Sequence, residues 1–335
     1  MILSKQGTST GNRSFTQAMY NSNRAVGVAV HLVVLTLICA AATAQSSLKW
    51  QQLNPQGTFT PRAYFATAYD PVSKSVVIFG GYNNYGQLDE TWIYDGHSWR
   101  HAVEYVHPSA RASASMVYDA KLKKIVLFGG FDGNNYLNDT WIFDGATRTW
   151  TQAFPANVPT GVAGPMLFAD PVSGRADMYG GFDGFLYQYA TWRWNSGNWH
   201  QIWTPNVASA RGWGVAATNP VNHTTVMFGG IADVRPDTWT FNGTDWTEQS
   251  FLGEPQYFPC TAGYFDPQLG QVIVLFDNQT WSWDGSAWNQ LTTLTAPLGR
   301  EGAGPVWDAS TGQYLIMGGL SSKGLMSDTW ALTVQ

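Results

Sequence analysis

The chain has 335 residues, 44% hydrophobic and 15% aromatic, with 18 basic against 23 acidic residues and a net charge of −5. That balance leaves no basic stripe of the kind nucleic acid requires. Two cysteines, Cys39 and Cys260, cannot supply a disulfide framework.

Residues 1–23 are polar. Arg24 then precedes an apolar run over residues 25–40 (AVGVAVHLVVLTLICA), and Ala42-Thr43-Ala44 follows. This order reads as a secretory signal peptide cut before Gln45, and Met19 as start would give it a conventional length. A retained single-pass anchor is the alternative, although the run is shorter than the ~20 apolar residues a span prefers. Three of the basic residues and none of the acidic ones fall in the first 44, so residues 45–335 carry a net charge of −8. Cys260 is then the only thiol, and no intrachain disulfide can form. The expected domains are residues 1–44, the signal segment, and residues 45–335, a single domain that is secreted, periplasmic or at the cell surface, with no membrane contact after cleavage.

Leu48-Lys49-Trp50-Gln51-Gln52-Leu53 reads as a strand, and from there a unit repeats. Each unit opens with a strand of small residues, such as Ala66 and Ala68, or Gly212 and Gly214. An Asp or Asn turn follows, as at Asp70-Pro71, Asp119-Ala120 and Asn219-Pro220. An apolar strand then ends in a glycine pair at Gly80-Gly81, Gly129-Gly130, Gly180-Gly181, Gly229-Gly230 and Gly318-Gly319. A Thr-Trp pair opens the third strand, at Trp92, Trp141, Trp192, Trp239, Trp281 and Trp330, spaced 49, 51, 47, 42 and 49 residues apart. Hairpin signals such as Asp95-Gly96 and Asn242-Gly243 lead to a second tryptophan at Trp99, Trp150, Trp199, Trp246 and Trp288. Its sixth copy is Trp50. The fifth unit departs from the pattern, with Asp277-Asn278 in place of the glycine pair.

The glycine pair, the paired tryptophans and a period near 50 residues resemble the kelch repeat over residues 48–335. The resemblance implies an all-β fold: a six-bladed kelch-type β-propeller with four-stranded antiparallel blades. The last unit supplies three strands, so the N-terminal strand is expected to complete blade six and close the ring. Deleting it should destabilise the whole domain. The tryptophans are expected to pack between blades.

In such a blade the first-to-second and third-to-fourth turns share one face, and the other loops share the opposite face. The second set varies more, and variable loops on a rigid frame are where function sits. Arg62, Arg111, Arg211 and Arg300 each stand eight residues before a turn residue, whereas Val162 and Phe258 hold that position in units three and five. Four guanidiniums at a channel mouth would seat a carboxylate or phosphate. Tyr85, Phe131, Phe185 and Trp213, with Trp203 nearby, add aromatic faces beside Asn83, Asp132 and Asp183, which suits a sugar or a peptide. The expected activity is therefore a binding module for a carbohydrate, protein or acidic ligand, acting as a monomer.

Glu301, beside Arg300, is the one candidate general acid or base. Sialic acid mutarotases are similar in fold, which makes an epimerase the alternative. The copper enzymes related to galactose oxidase also use kelch blades, but their paired His and Cys-modified Tyr are not recognisable here, and no cofactor is expected. Asp132-Gly133-Asn134 resembles the start of a calcium loop without its downstream Glu, so no metal site is assigned.

Overall fold

The computed structural model describes residues 48–231, 237–249, 255 and 262–334. The signal segment, Phe258 and Cys260 lie outside them. The described residues contain strands, turns and loops and no helix.

They form six four-stranded antiparallel sheets. Sheet one holds Ala66–Asp70, Ser75–Phe79, Thr91–Tyr94 and Trp99–Ala102. Sheet two holds Ser115–Asp119, Lys124–Phe128, Thr140–Asp144 and Thr149–Ala153. Sheet three holds Met166–Ala169, Ala176–Tyr179, Thr191–Asn195 and Asn198–Ile202. Sheet four runs from Val215–Asn219 to Trp246–Gln249, and sheet five from Ala262–Asp266 to Trp288–Leu291. Sheet six takes Gly304–Asp308, Gln313–Met317 and Thr329–Val334 from the C-terminal part, and its fourth strand is Leu48–Leu53. The register there runs from Leu48 opposite Val334 to Leu53 opposite Thr329. Among the described residues this is the all-β arrangement of four-stranded antiparallel sheets that the repeat implies. The first strands of successive sheets touch, and that of sheet six touches that of sheet one.

Local chemistry explains each element. The turn residue after each first strand bonds forward to the backbone: Asp70 Oδ1 accepts from Val72 N at 2.9 Å, and Asp119 Oδ1 from Lys121 N and Leu122 N at 2.9 and 2.7 Å. Such Asx turns reverse the chain without help from the neighbouring strand. The glycine pair is required by crowding. Gly80 has φ +71, and a Cβ there would lie 2.5 Å from the Arg111 carbonyl oxygen.

Six hydrophobic clusters lie between neighbouring sheets. The fourth-strand tryptophan sits in each, and its indole N–H donates to the threonine of the preceding sheet's Thr-Trp pair. The bonds are Trp99 to Thr329, Trp150 to Thr91, Trp199 to Thr140, Trp246 to Thr191, Trp288 to Thr238 and Trp50 to Thr280, all between 2.8 and 3.1 Å. A buried indole needs a partner for its one donor, which explains why Thr precedes the other tryptophan of each unit.

Sheet three carries one exception in its core. Sheet two pairs Val126 with Ile142 across its second and third strands, and the matching pair in sheet three is Asp177 with Arg193. Arg193 donates to both oxygens of Asp177, at 2.8 and 2.7 Å, and also to Asp170.

Candidate ligand-binding face and channel mouth

Among the described residues, every exposed Phe, Tyr and Trp side chain lies on the face carrying the second-to-third-strand loops and the links between sheets. Tyr85 and Phe185 stand at loop tips, 97% and 90% exposed. Tyr105, Phe154 and Trp203 follow the fourth strands of sheets one, two and three, at 104%, 83% and 82%. The exposed large apolar residues of the opposite face are aliphatic and isolated: Val72, Leu122, Val172 and Val221. Grouped exposed aromatics mark an interaction surface, whereas single aliphatics at turns do not.

The four arginines do not form the anion seat expected of them. Arg62, Arg111, Arg211 and Arg300 are buried, at 0%, 1%, 2% and 7% exposure. Each guanidinium is spent inside its own sheet. Arg111 donates Nη1 to the Gly129 carbonyl at 3.2 Å, Nη1 and Nη2 to the two oxygens of Asp139 at 2.5 and 2.9 Å, and Nε to the Ser109 carbonyl at 2.9 Å. Arg300 repeats this with Gly318 and Asp328, Arg211 with Gly229 and Asp237, and Arg62 with Gly80 and Glu90. Burial works against the Asp139 carboxylate, yet the Arg111 hydrogen bonds and charge, helped by the Trp141 N–H, hold it below the usual carboxylate range. Meanwhile the Arg111 backbone bonds to the preceding sheet, through Leu88 O and Gly81 N, both at 2.9 Å. Arg62, Arg111 and Arg211 thus each staple two sheets, and the paired guanidiniums of all four leave no edge for an external acid.

The residue two places after each arginine, and after Val162 in unit three, builds the mouth instead. Tyr64, Ser113, Gly164, Trp213 and Gly302 have φ of 55, 56, 64, 56 and 60. Their backbones form a chain of hydrogen bonds around the opening. Tyr64 N donates to Gly302 O, Ser113 N to Tyr64 O, Gly164 N to Ser113 O and Trp213 N to Gly164 O, at 2.7 to 2.9 Å. Cys260 holds this position in unit five and is outside the described residues. A left-handed backbone costs an L-residue about 1 kcal/mol or more, so Tyr64, Ser113 and Trp213 are held there by their surroundings.

Two aromatic rings border the mouth. The Trp213 indole lies where a Cβ on Gly164 would be, 2.4 Å from its ring, and its Nε1 donates to Ser113 Oγ at 3.0 Å. Tyr64 lies against Gly302 in the same way, stacks on Tyr82 at 5.8 Å, and donates its hydroxyl to Glu301 Oε2 at 3.0 Å. Below them a channel of about 440 Å³ is lined by small residues, including Ala68, Ala114, Gly214 and Gly263, with Tyr118 and Trp307 further in.

The remaining expected residues separate by role. Phe131 is half-buried in an aromatic row that runs through Tyr136 (4.9 Å) and Phe182 (5.6 Å) to Trp213 (6.4 Å). Tyr85 and Phe185 stay at their exposed tips. Asn83, Asp132 and Asp183 each accept backbone N–H groups of their own loop at 2.7 to 2.8 Å, so they shape the loops. No group of three metal-ligating side chains occurs among the described residues. Glu301 is exposed at the rim, bonded to Tyr64 and not to Arg300. Tyr64 escapes the sequence reading, although the fixed spacing from Arg62 marks it. Tyr105 and Phe154 escape it as well, and their signal is an aromatic residue four to six places after the fourth-strand tryptophan.

The KLHDC2/KLHL20/DRC7 Kelch-repeats domain model matches residues 36–230, more than half of the chain. No curated protein matches the chain.

Proposed function

Starting from the fact that the chain belongs to the kelch-repeat family, whose domains serve protein interaction, we propose that its six sheets form a closed six-bladed ring. We infer that the ring presents one face to a partner. The observation that carries this reading is the confinement of exposed aromatic side chains, among the described residues, to the face around the mouth. Tyr105, Phe154 and Trp203, which follow the fourth strands of sheets one to three, suit a protein surface, because aromatic anchors dominate such contacts. The mouth suits a carbohydrate. Tyr64 and Trp213 offer ring faces, and Glu301 and Ser113 offer hydrogen bonds between them. A neutral sugar fits better than an acidic one, since the four arginines are already paired. The apolar run at residues 25–40 supports export to the cell surface or beyond, where such ligands are met.

Two variants separate the two ligands. In a thermal-shift screen a sugar at 100 times its Kd raises stability by about 2.7 kcal/mol. Trp213→Ala should abolish that shift and leave protein capture intact. A Tyr105→Ser, Phe154→Ser, Trp203→Ser triple variant should do the reverse. If both variants bind every partner as the parent does, this face is not the site.

The epimerase alternative retains only the Glu301–Tyr64 pair, because its carboxylate grip on the arginines is lost. Anomer exchange that is faster with the protein and lost in Glu301→Gln would support it. An unchanged rate with the parent protein would remove it.

A further inference from the structure

The arginine staple has a counterpart that is missing as a unit. The acid it grips always stands two residues before the Thr-Trp tryptophan: Glu90, Asp139, Asp237 and Asp328. In unit three both members are replaced, Arg by Val162 and the acid by Ala190. Val162 keeps the backbone part of the staple, with its N–H on Leu137 O and its carbonyl on Gly130 N. The side-chain part is gone, and a cavity of about 230 Å³ takes its place.

Two polar groups of the staple remain at this cavity. In the four arginine sheets the first glycine of the pair accepts from the guanidinium through its carbonyl. The tryptophan Nε1 donates to the acid: Trp92 at 3.0 Å, Trp141 at 2.7 Å, Trp239 at 2.8 Å and Trp330 at 2.7 Å. In sheet three Gly180 and Trp192 line the cavity, and neither the Gly180 carbonyl nor the Trp192 indole N–H has a hydrogen bond among the described residues. Sheet five shows what else the tryptophan accepts. There Trp281 Nε1 donates to the side-chain amide oxygen of Gln279, at 3.1 Å.

No charged side chain lines the cavity. Its walls are Val162, Thr160, Gln188, Tyr189, Trp192 and Gln201, with Gly180. A bare cation or anion would enter without a counter-charge, at high desolvation cost. The occupant must be neutral and must offer one donor and one acceptor on neighbouring atoms. We propose that this cavity is a binding site for a carboxamide supplied from outside, its N–H on the Gly180 carbonyl and its C=O on the Trp192 indole N–H. The source is a small free amide or an Asn or Gln side chain of a partner. The site is separate from the channel mouth and does not depend on the reading of the mouth.

The test follows the indole N–H of Trp192 by NMR in the full-length protein, its signal assigned by its loss in Trp192→Phe. Propionamide should shift it saturably, and propionate or propylamine should bind at least tenfold more weakly. N-acetylglutamine methylamide binding better than N-acetylalanine methylamide would identify a side-chain amide as the source. Equal binding would point to any accessible amide. Val162→Arg with Ala190→Asp rebuilds the staple of the other sheets and should abolish the titration. Ala190→Gln, which copies sheet five, should abolish it as well and covers the case in which the double variant fails to fold. The proposal is overturned if no amide shifts the signal, which would leave water as the occupant, if propionate does so equally, or if the filled variants titrate like the parent.

Discussion

Sheets two and three share strand order, turns and the tryptophan-to-threonine bond, yet they place their guanidinium–carboxylate pair differently. Sheet two holds Arg111–Asp139 on the loop side and an apolar Val126–Ile142 pair within. Sheet three has Val162 and Ala190 on the loop side and Arg193–Asp177 within. In both sheets the partners appear or vanish together. A buried pair is tolerated because each charge answers the other, and half of one is costly. Polar groups in this frame therefore exchange as units, and the place left empty becomes available for a ligand.

The largest effect should come from breaking the inner pair. Arg193→Ile leaves Asp177, 0% exposed, without its partner, and should cost about 3–5 kcal/mol in denaturant unfolding. Adding Asp177→Val recreates the sheet-two pattern and should recover most of that loss. A double variant no more stable than the single one would show that the pair is not a unit.

Arg111→Ala should cost less, about 2–3 kcal/mol, because Asp139 is 24% exposed by side chain and can take up water. Arg111→Val with Asp139→Ala copies sheet three and should cost clearly less than the two single changes summed. Strict additivity would break the comparison.

The shared tryptophan bond sharpens it. Trp150→Phe and Trp199→Phe each remove one buried indole donor bond, to Thr91 and Thr140. Each should cost about 1–1.5 kcal/mol, equally in the two sheets. Unequal costs would mean that the sheets differ beyond their ion pairs.

A pH dependence is tied to the sheet-two bond alone. Thr91, which accepts from Trp150, donates to Glu104 Oε2 at 2.8 Å, and Glu104 Oε1 is buried without a partner. Burial pushes the Glu104 carboxyl up to about 7, although the Thr91 bond and His107 oppose it. Between about 4.5 and 7 the folded chain keeps a proton that the unfolded chain releases, so this contribution to stability falls as pH rises through that window. Glu104→Gln should flatten the dependence of Tm between pH 5 and 8. An unaltered slope would show that Glu104 does not titrate there.

The periodic features could be read from the sequence because each is local. Glycine pairs, Asx turns and hairpin dipeptides act within a few residues. The role of the arginines could not be read from Arg62 or Arg111 alone, because their partners lie 28 residues away. The signal was nonetheless present: acid and arginine are lost together in unit three. Tyr64 and Trp213 were harder to place. Their importance rests on a left-handed backbone and on glycines of neighbouring sheets, contacts that no single repeat contains. Glu301 was found by its charge, but its partner is Tyr64 and not the adjacent Arg300.

The pairing of Leu48–Leu53 with Thr329–Val334 has a consequence for biosynthesis. The outer strand of sheet six leaves the ribosome before any of the other described strands, and its partner leaves after them all. Trp50 donates its hydrogen bond to a threonine 230 residues further along. At roughly 5–20 residues per second that is a wait on the order of 10 to 50 s. Throughout it this strand and its indole stay uncovered and open to chaperones or to mispairing. The last described strand then settles itself and the first described strand in one step, so a nascent chain stopped before Thr329 cannot bury Trp50 in this sheet and carries an exposed mark of incompleteness.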